Sequence, residues 1–169
     1  MEELIKNRTP IDIDLSPNRD KVYAGICLKS NDEIFILNCF NEETQEFDGY
    51  AIIRDYEIEK YREWDKEELK EIKNNNYSNF INKLPIDKMN NMFACLSQLQ
   101  NEKLISIFIE SDDDSYFVGQ IKSLSENKLE LKLLDENAKW TGKKKIKINE
   151  ITYIGFDTSY EDSFERKIE

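Results

Sequence analysis

The run Lys143-Lys144-Lys145-Ile146-Lys147-Ile148 gathers more cations than any other stretch of this chain. On a strand, successive side chains point to opposite faces. Lys143, Lys145 and Lys147 therefore share one face, and Ile146 and Ile148 share the other. Lys139 and Trp140 come just before, setting an aromatic ring beside cations. That combination offers an aromatic platform beside cations, as single-stranded nucleic acid requires. Trp140, Lys143, Lys145 and Lys147 are accordingly the candidate nucleic-acid or partner contacts. Three phosphate contacts give a salt slope of only about −2 to −3, the mark of weak binding. The competing interpretation is a solvated strand face whose lysines discourage pairing at a sheet edge.

Other chemistry finds less to work with. Asp112-Asp113-Asp114 offers carboxylates to a calcium ion, but it lacks the spaced ligands, Gly and distant Glu of a calcium loop. Cys27, Cys39 and Cys95 are three in number, without C-x-x-C spacing, and the sequence contains no His. A zinc site wants four ligands of such types, so buried free thiols in a reducing compartment are expected. Acid–base catalysis without His falls to carboxylates, Lys, Cys or Tyr with shifted pKa values. The isolated glycines form no phosphate-binding loop. No catalytic, cofactor-binding or metal-binding residue is expected, and the chain is not read as an enzyme.

Composition narrows the class of object. The chain has 169 residues, room for one ordinary domain or two very small ones. Its 24 Lys and Arg against 35 Asp and Glu leave a net charge of −11. Such a balance disfavours nucleic acid and acidic membranes, and it favours protein partners bearing cationic patches. No apolar run approaches the roughly 18 residues of a membrane span. The start, MEELIKNRTPIDID, lacks the apolar core of a signal peptide. A cytoplasmic location is therefore the expectation.

The elements that must position the lysines are written twice. VYAGICLKSNDEIFILNCFNE begins at Val22, and YFVGQIKSLSENKLELKLLDE begins at Tyr116. Upstream, Ile11, Ile13 and Leu15 share one strand face, and Ile105, Ile107 and Ile109 do the same 94 residues later. Polar loops come next, at Ser16–Asp20 and Ser111–Ser115. Gly25 then matches Gly119. After one deletion Phe47 matches Trp140, Gly49 matches Gly142, Ile58 matches Ile151 and Tyr61 matches Ile154. Four of the chain's five glycines fall into these pairs. Gly weakens a strand unless a bend or bulge needs it, so an internal duplication of about five short strands is expected.

Helix signals close each copy. Asp65 can cap a helix through Ile72, with Glu68 completing a capping box. Asp157 or Thr158 opens a second, with Tyr160 and Phe164 on one face. Asn74-Asn75-Asn76 breaks the chain. A helix capped at Asp87 then aligns Met89, Met92, Phe93, Leu96 and Leu99. The expected domains are residues 1–73, a first small β-barrel with a C-terminal helix; 74–101, a linker with an amphipathic helix; and 102–169, a second small barrel with its helix.

A bent second strand with Gly, an apolar third strand ending at acids, and a last strand of type I-x-x-I resemble the Sm-like and SH3-like small barrels. The residues concerned are VGQIKSL, LELKLLD and INEITYI in one copy, and AGICLKS, FILNCFN and YEIEKY in the other. The ending YIGFDTSYEDSF is similar to small uncharacterised bacterial proteins of this barrel type. The resemblance implies a mainly β fold with helices (α+β): two duplicated five-stranded barrels, each followed by a helix and joined by a helical linker. Sm-like RNA binding is the function it suggests. Yet Glu57 and Glu150 precede the last strands, where that family holds phosphate and base. The leading expectation is a non-catalytic protein-interaction module: an adaptor, inhibitor or immunity-type protein, monomeric or dimeric, meeting a basic partner surface. The alternative is an Sm-like RNA-binding or RNA-regulatory protein using the lysine face.

Overall fold

The computed structural model describes residues 1–15, 22–72, 84–100, 103–109 and 116–168. The expected loops at Ser16–Asp20 and around the Asp112–Asp114 triplet, and the Asn74–Asn76 break, lie outside them. The chain divides into two compact units, Met1–Ile86 and Asp87–Glu169.

In the first unit α1 (Glu2–Asn7) leads into β1 (Pro10–Leu15), β2 (Val22–Ser30), β3 (Ile34–Asn41) and β4 (Glu46–Arg54). A 3-10 turn at Asp55–Glu57 precedes β5 (Ile58–Glu63), and α2 (Glu68–Ile72) comes after it. Its strands lie in the order β5-β1-β2-β3-β4, with antiparallel pairings. The second unit runs α3 (Met92–Gln98), β6 (Leu104–Ile109), β7 (Tyr116–Ser125), β8 (Lys128–Leu134) and β9 (Trp140–Lys147). A 3-10 turn at Ile148–Glu150, β10 (Ile151–Phe156) and α4 (Ser159–Glu165) complete it. Its order is β10-β6-β7-β8-β9, again antiparallel.

These orders overturn the expectation of two closed five-stranded barrels, each followed by a helix and joined by a helical linker. β4 does not pair with β5, nor β9 with β10, so the strands of each unit form an open antiparallel array. The four α-helices among the described residues are five to seven residues long, between one and two turns. The fold is mostly β. Local pattern explains the misreading. Alternation and glycines specify strands and bends, whereas closure depends on strand tilt and stagger summed around the whole circuit.

Within each unit the register obeys the same plan. Ile11 lies opposite Gly25, and Gly25 opposite Cys39. Ile105 lies opposite Gly119, and Gly119 opposite Leu133. A Cβ on Gly25 would stand 2.1 Å from the Asn38 carbonyl oxygen, and one on Gly119 2.0 Å from that of Lys132. Both glycines permit a backbone approach that no side chain allows. The register then slips between Cys27 and Lys29, and between Ile121 and Ser123. These bulges strengthen the local twist. The other glycine pair differs. Gly49 has a left-handed backbone at φ 67°, and Gly142 has open space where a Cβ would sit but a positive φ of 157°.

The inward positions of the first strands are buried as the alternation predicts: Ile11, Ile13 and Leu15 in one unit, Ile105, Ile107 and Ile109 in the other. The outward residues of those strands anchor the segment C-terminal to the last strand. Asp12 accepts from Trp64 Nε1 at 2.6 Å and also holds Arg62. The equivalent Ser106 donates to Glu161 Oε1 at 2.6 Å. Asp65 and Glu68 form the expected reciprocal cap, with Asp65 Oδ1 accepting from Glu68 N at 3.0 Å and Glu68 Oε2 from Asp65 N at 2.6 Å. Thr158 and Glu161 cap α4 likewise. The helix expected from Asp87 starts later, because Asn91 accepts from Ala94 N at 2.7 Å and so caps α3. Of the expected stripe, Met89, Met92, Leu96 and Leu99 are buried, and Phe93 is only partly so.

Candidate functional site

Lys143, Lys145 and Lys147 do share one exposed face of β9. The structure adds the neighbouring strand to it. Lys147 lies directly opposite Lys128, Lys145 opposite Glu130, and Lys143 opposite Lys132. Opposed residues point to the same side of a sheet, so five lysines surround one carboxylate. Lys143 Nζ is 3.2 Å from Glu130, and Lys147 Nζ is 2.7 Å from Glu150. β7 continues the face with Ser123 opposite Glu130 and Ser125 opposite Lys128. A shallow hollow of about 360 Å³ opens there, lined by Ser123, Ser125, Lys128, Glu130 and Lys145 among others.

This register is electrostatically awkward. Like charges directly opposite each other destabilise a sheet, by roughly 0.2–1 kcal/mol per pair, and two of the three lysine positions on β9 face another lysine. The first unit shows what the fold itself asks for at these places. Its matching pairs are Ile34 with Arg54, Ile36 with Ile52 and Asn38 with Tyr50. All six are buried, from 0% exposure at Ile34, Ile36 and Ile52 to 8% at Arg54. The lysines are therefore not dictated by the sheet's geometry.

Trp140 lies on the lysine side of the sheet, but its ring is not an open platform. A register slip between Leu133 and Leu134 sets it opposite Leu134. There it packs, partly buried, against the cluster of Leu104, Val118, Leu134, Ala138 and Phe164. Lys132 Nζ lies 3.6 Å from its ring centroid, a cation–π contact that occupies the ring. Lys144 points to the opposite face, with its ammonium 4.4 Å from the Phe117 ring.

Sequence reasoning missed Lys128 and Lys132. The signal was present: Lys128, Glu130 and Lys132 alternate with Leu129 and Leu131, as the β9 lysines alternate with Ile146. Only the pairing register shows that the two alternations face the same way. The acids before the last strands also turn out differently from one another. Glu57 is buried at 5% exposure, whereas Glu150 is half-exposed and bound to Lys147.

The thiols separate by burial. Cys27 and Cys95 are buried and Cys39 is partly so. Burial pushes the Cys27 thiol up to about 12, which suppresses the thiolate needed for nucleophilic chemistry. Among the described residues, no group of three or more His, Cys, Asp or Glu is placed to hold a metal ion. No helix among them is long and apolar enough to cross a membrane. Comparison of the chain with protein-family models, with curated proteins and with solved structures finds no match.

Proposed function

We propose that this chain is a non-catalytic protein-interaction module, and that it engages a carboxylate-rich partner through the outer face of β8 and β9. One observation carries the reading. Six register-matched positions are buried in the first unit and hold five exposed or half-exposed lysines and a glutamate in the second. Opposed lysines weaken their own sheet, and a partner's carboxylates relieve that repulsion on docking. This reading expects an acidic partner surface at this face, where composition alone favours a basic one. The net charge of −11 does not oppose this, because contact depends on the local patch more than the total.

RNA binding is the second reading, and the same lysine ladder favours it, since phosphates also match such a face. The protein reading is preferred because Trp140 is packed and its ring is taken by Lys132. Base stacking, which adds about 1–3 kcal/mol per base at an open aromatic, has no platform in that ring.

The test compares wild-type bait with a Lys143→Glu, Lys145→Glu, Lys147→Glu variant in nuclease-treated and untreated extracts. A stoichiometric protein is expected on the wild type in both extracts. It is released by salt and missing from the variant. The same proteins on both baits would overturn the proposal. Recovery of RNA that nuclease abolishes would replace it with the second reading.

A further inference from the structure

Away from the lysine ladder, the second unit has a small concavity where the chain leaves β8. Tyr116 at the start of β7, Tyr160 in α4 and Thr141 in β9 line it, with Phe117 behind and Asp135 and Glu136 at its rim. Its volume is about 230 Å³. That is below the roughly 300–1,000 Å³ of small-molecule sites and suits a single side chain.

The walls are aromatic and partly open. Tyr116 is 41% exposed and Tyr160 44%. Their ring centroids lie 5.9 Å apart at 60°, and Tyr160 meets Phe164 at 5.2 Å and 68°. Phe164 is itself buried among Leu104, Val118 and Leu134, so the stack is held from below.

The rim is anionic and held in place. Asp135 Oδ1 accepts from the backbone N–H groups of Asn137 and Lys139, both at 2.9 Å. Glu136 is exposed. Its field reaches the tyrosine: burial first, then Glu161 and Glu136, raises the Tyr160 pKa. The phenol therefore stays neutral, and the local potential favours a cation.

We infer that this concavity binds an arginine side chain of a partner protein, its guanidinium lying on the Tyr116–Tyr160 rings and its charge met by Asp135 and Glu136. Arginine fits better than lysine because its flat, weakly hydrated group stacks on aromatic faces while its fork donates to carboxylates. An anionic ligand would face the two carboxylates, and a neutral apolar one would leave them desolvated and unused. The inference does not depend on the lysine face. It supplies the basic-partner contact that the acidic composition favours.

The test titrates the ¹⁵N-labelled full chain with the blocked tripeptide Gly-Arg-Gly, and separately with Gly-citrulline-Gly, its neutral isostere. Saturable shifts confined to Tyr116, Phe117, Glu136 and Tyr160 are expected, with a Kd of about 1–10 mM, appropriate to one side chain. The citrulline peptide should not saturate. Glu136→Gln, an exposed change that spares the fold, should weaken binding at least about fivefold, in line with loss of a charged hydrogen-bond partner. Tyr160→Phe, which keeps the ring, should retain it. Equal binding of citrulline, no effect of Glu136→Gln, or shifts absent or located elsewhere would each overturn the assignment.

Discussion

β3 and β4 of the first unit and β8 and β9 of the second share one register and carry opposite chemistry. Ile36 faces Ile52 where Glu130 faces Lys145, and Asn38 faces Tyr50 where Lys132 faces Lys143. On the inner side the two agree, since Leu37 and Ala51 are buried, as are Leu129, Leu131 and Ile146. β3 is buried along most of its length on both faces, the continuous apolar run of a strand covered on two sides. β8 and β9 alternate, the pattern of strands covered on one side. Pairing geometry thus constrains one face strongly and leaves the other to be filled by its surroundings. That freedom is where function can enter.

Exchanging residues between the two regions gives the most direct way to break the comparison. Ile52→Lys places an ammonium at a position with 0% exposure. It should lower stability by about 4 kcal/mol or more in urea unfolding, through a buried unpaired charge. The reciprocal Lys145→Ile should change stability by less than about 1 kcal/mol while reducing capture of the partner. Equal effects on stability would dissolve the distinction. Next come the positions where the units agree. Gly25→Val and Gly119→Val should each destabilise by about 3 kcal/mol, because the added carbons meet a carbonyl of the paired strand. An unchanged melting curve for either would show that the close approach does not exist.

Smaller effects sharpen the comparison at the anchors. Ser106→Ala removes a donor from the buried Glu161, and Trp64→Phe removes one from Asp12. Each should lower stability by about 1–3 kcal/mol, with the buried carboxylate the more affected. Last is an alkaline limb. The Cys27 thiol ionises near pH 9 when unfolded and near 12 when folded, so between those values the unfolded state binds fewer protons. Stability contributed by the neutral thiol is complete below pH 9 and is lost as pH rises towards 12. Cys27→Ala should flatten that decline in melts taken from about pH 8.5 to 10.5, the window below the folded value.

Strand positions were legible in the sequence because period-two alternation is local: Ile11, Ile13 and Leu15 announce their own face. Gly25 and Gly119 were legible as bends, although the reason, a carbonyl about 2 Å from the missing Cβ, belongs to the paired strand. Non-local relations were not legible. Closure of the strand circuit was misjudged for that reason, and so was the start of α3, where Asn91 competes with Asp87 for the cap. The candidate site was half visible. Lys143, Lys145 and Lys147 could be placed on one face from spacing, but Lys128 and Lys132 joined them only through register. Trp140 stays on their side of the sheet, because the slip sets it opposite Leu134, but its ring packs against the Leu134 cluster. The Tyr116–Tyr160 contact spans a separation in sequence that no local pattern encodes.

The opposed lysine pairs have a consequence for how this sheet behaves as a material. Among the described strands, β9 has only β8 beside it, so its attachment rests on a seam whose outer face opposes lysine to lysine at two positions. Thermodynamic linkage then makes cohesion of that seam and occupancy of its surface two readings of one equilibrium. Anything that neutralises the ladder tightens the edge strand, and anything that strips it away lets the edge loosen.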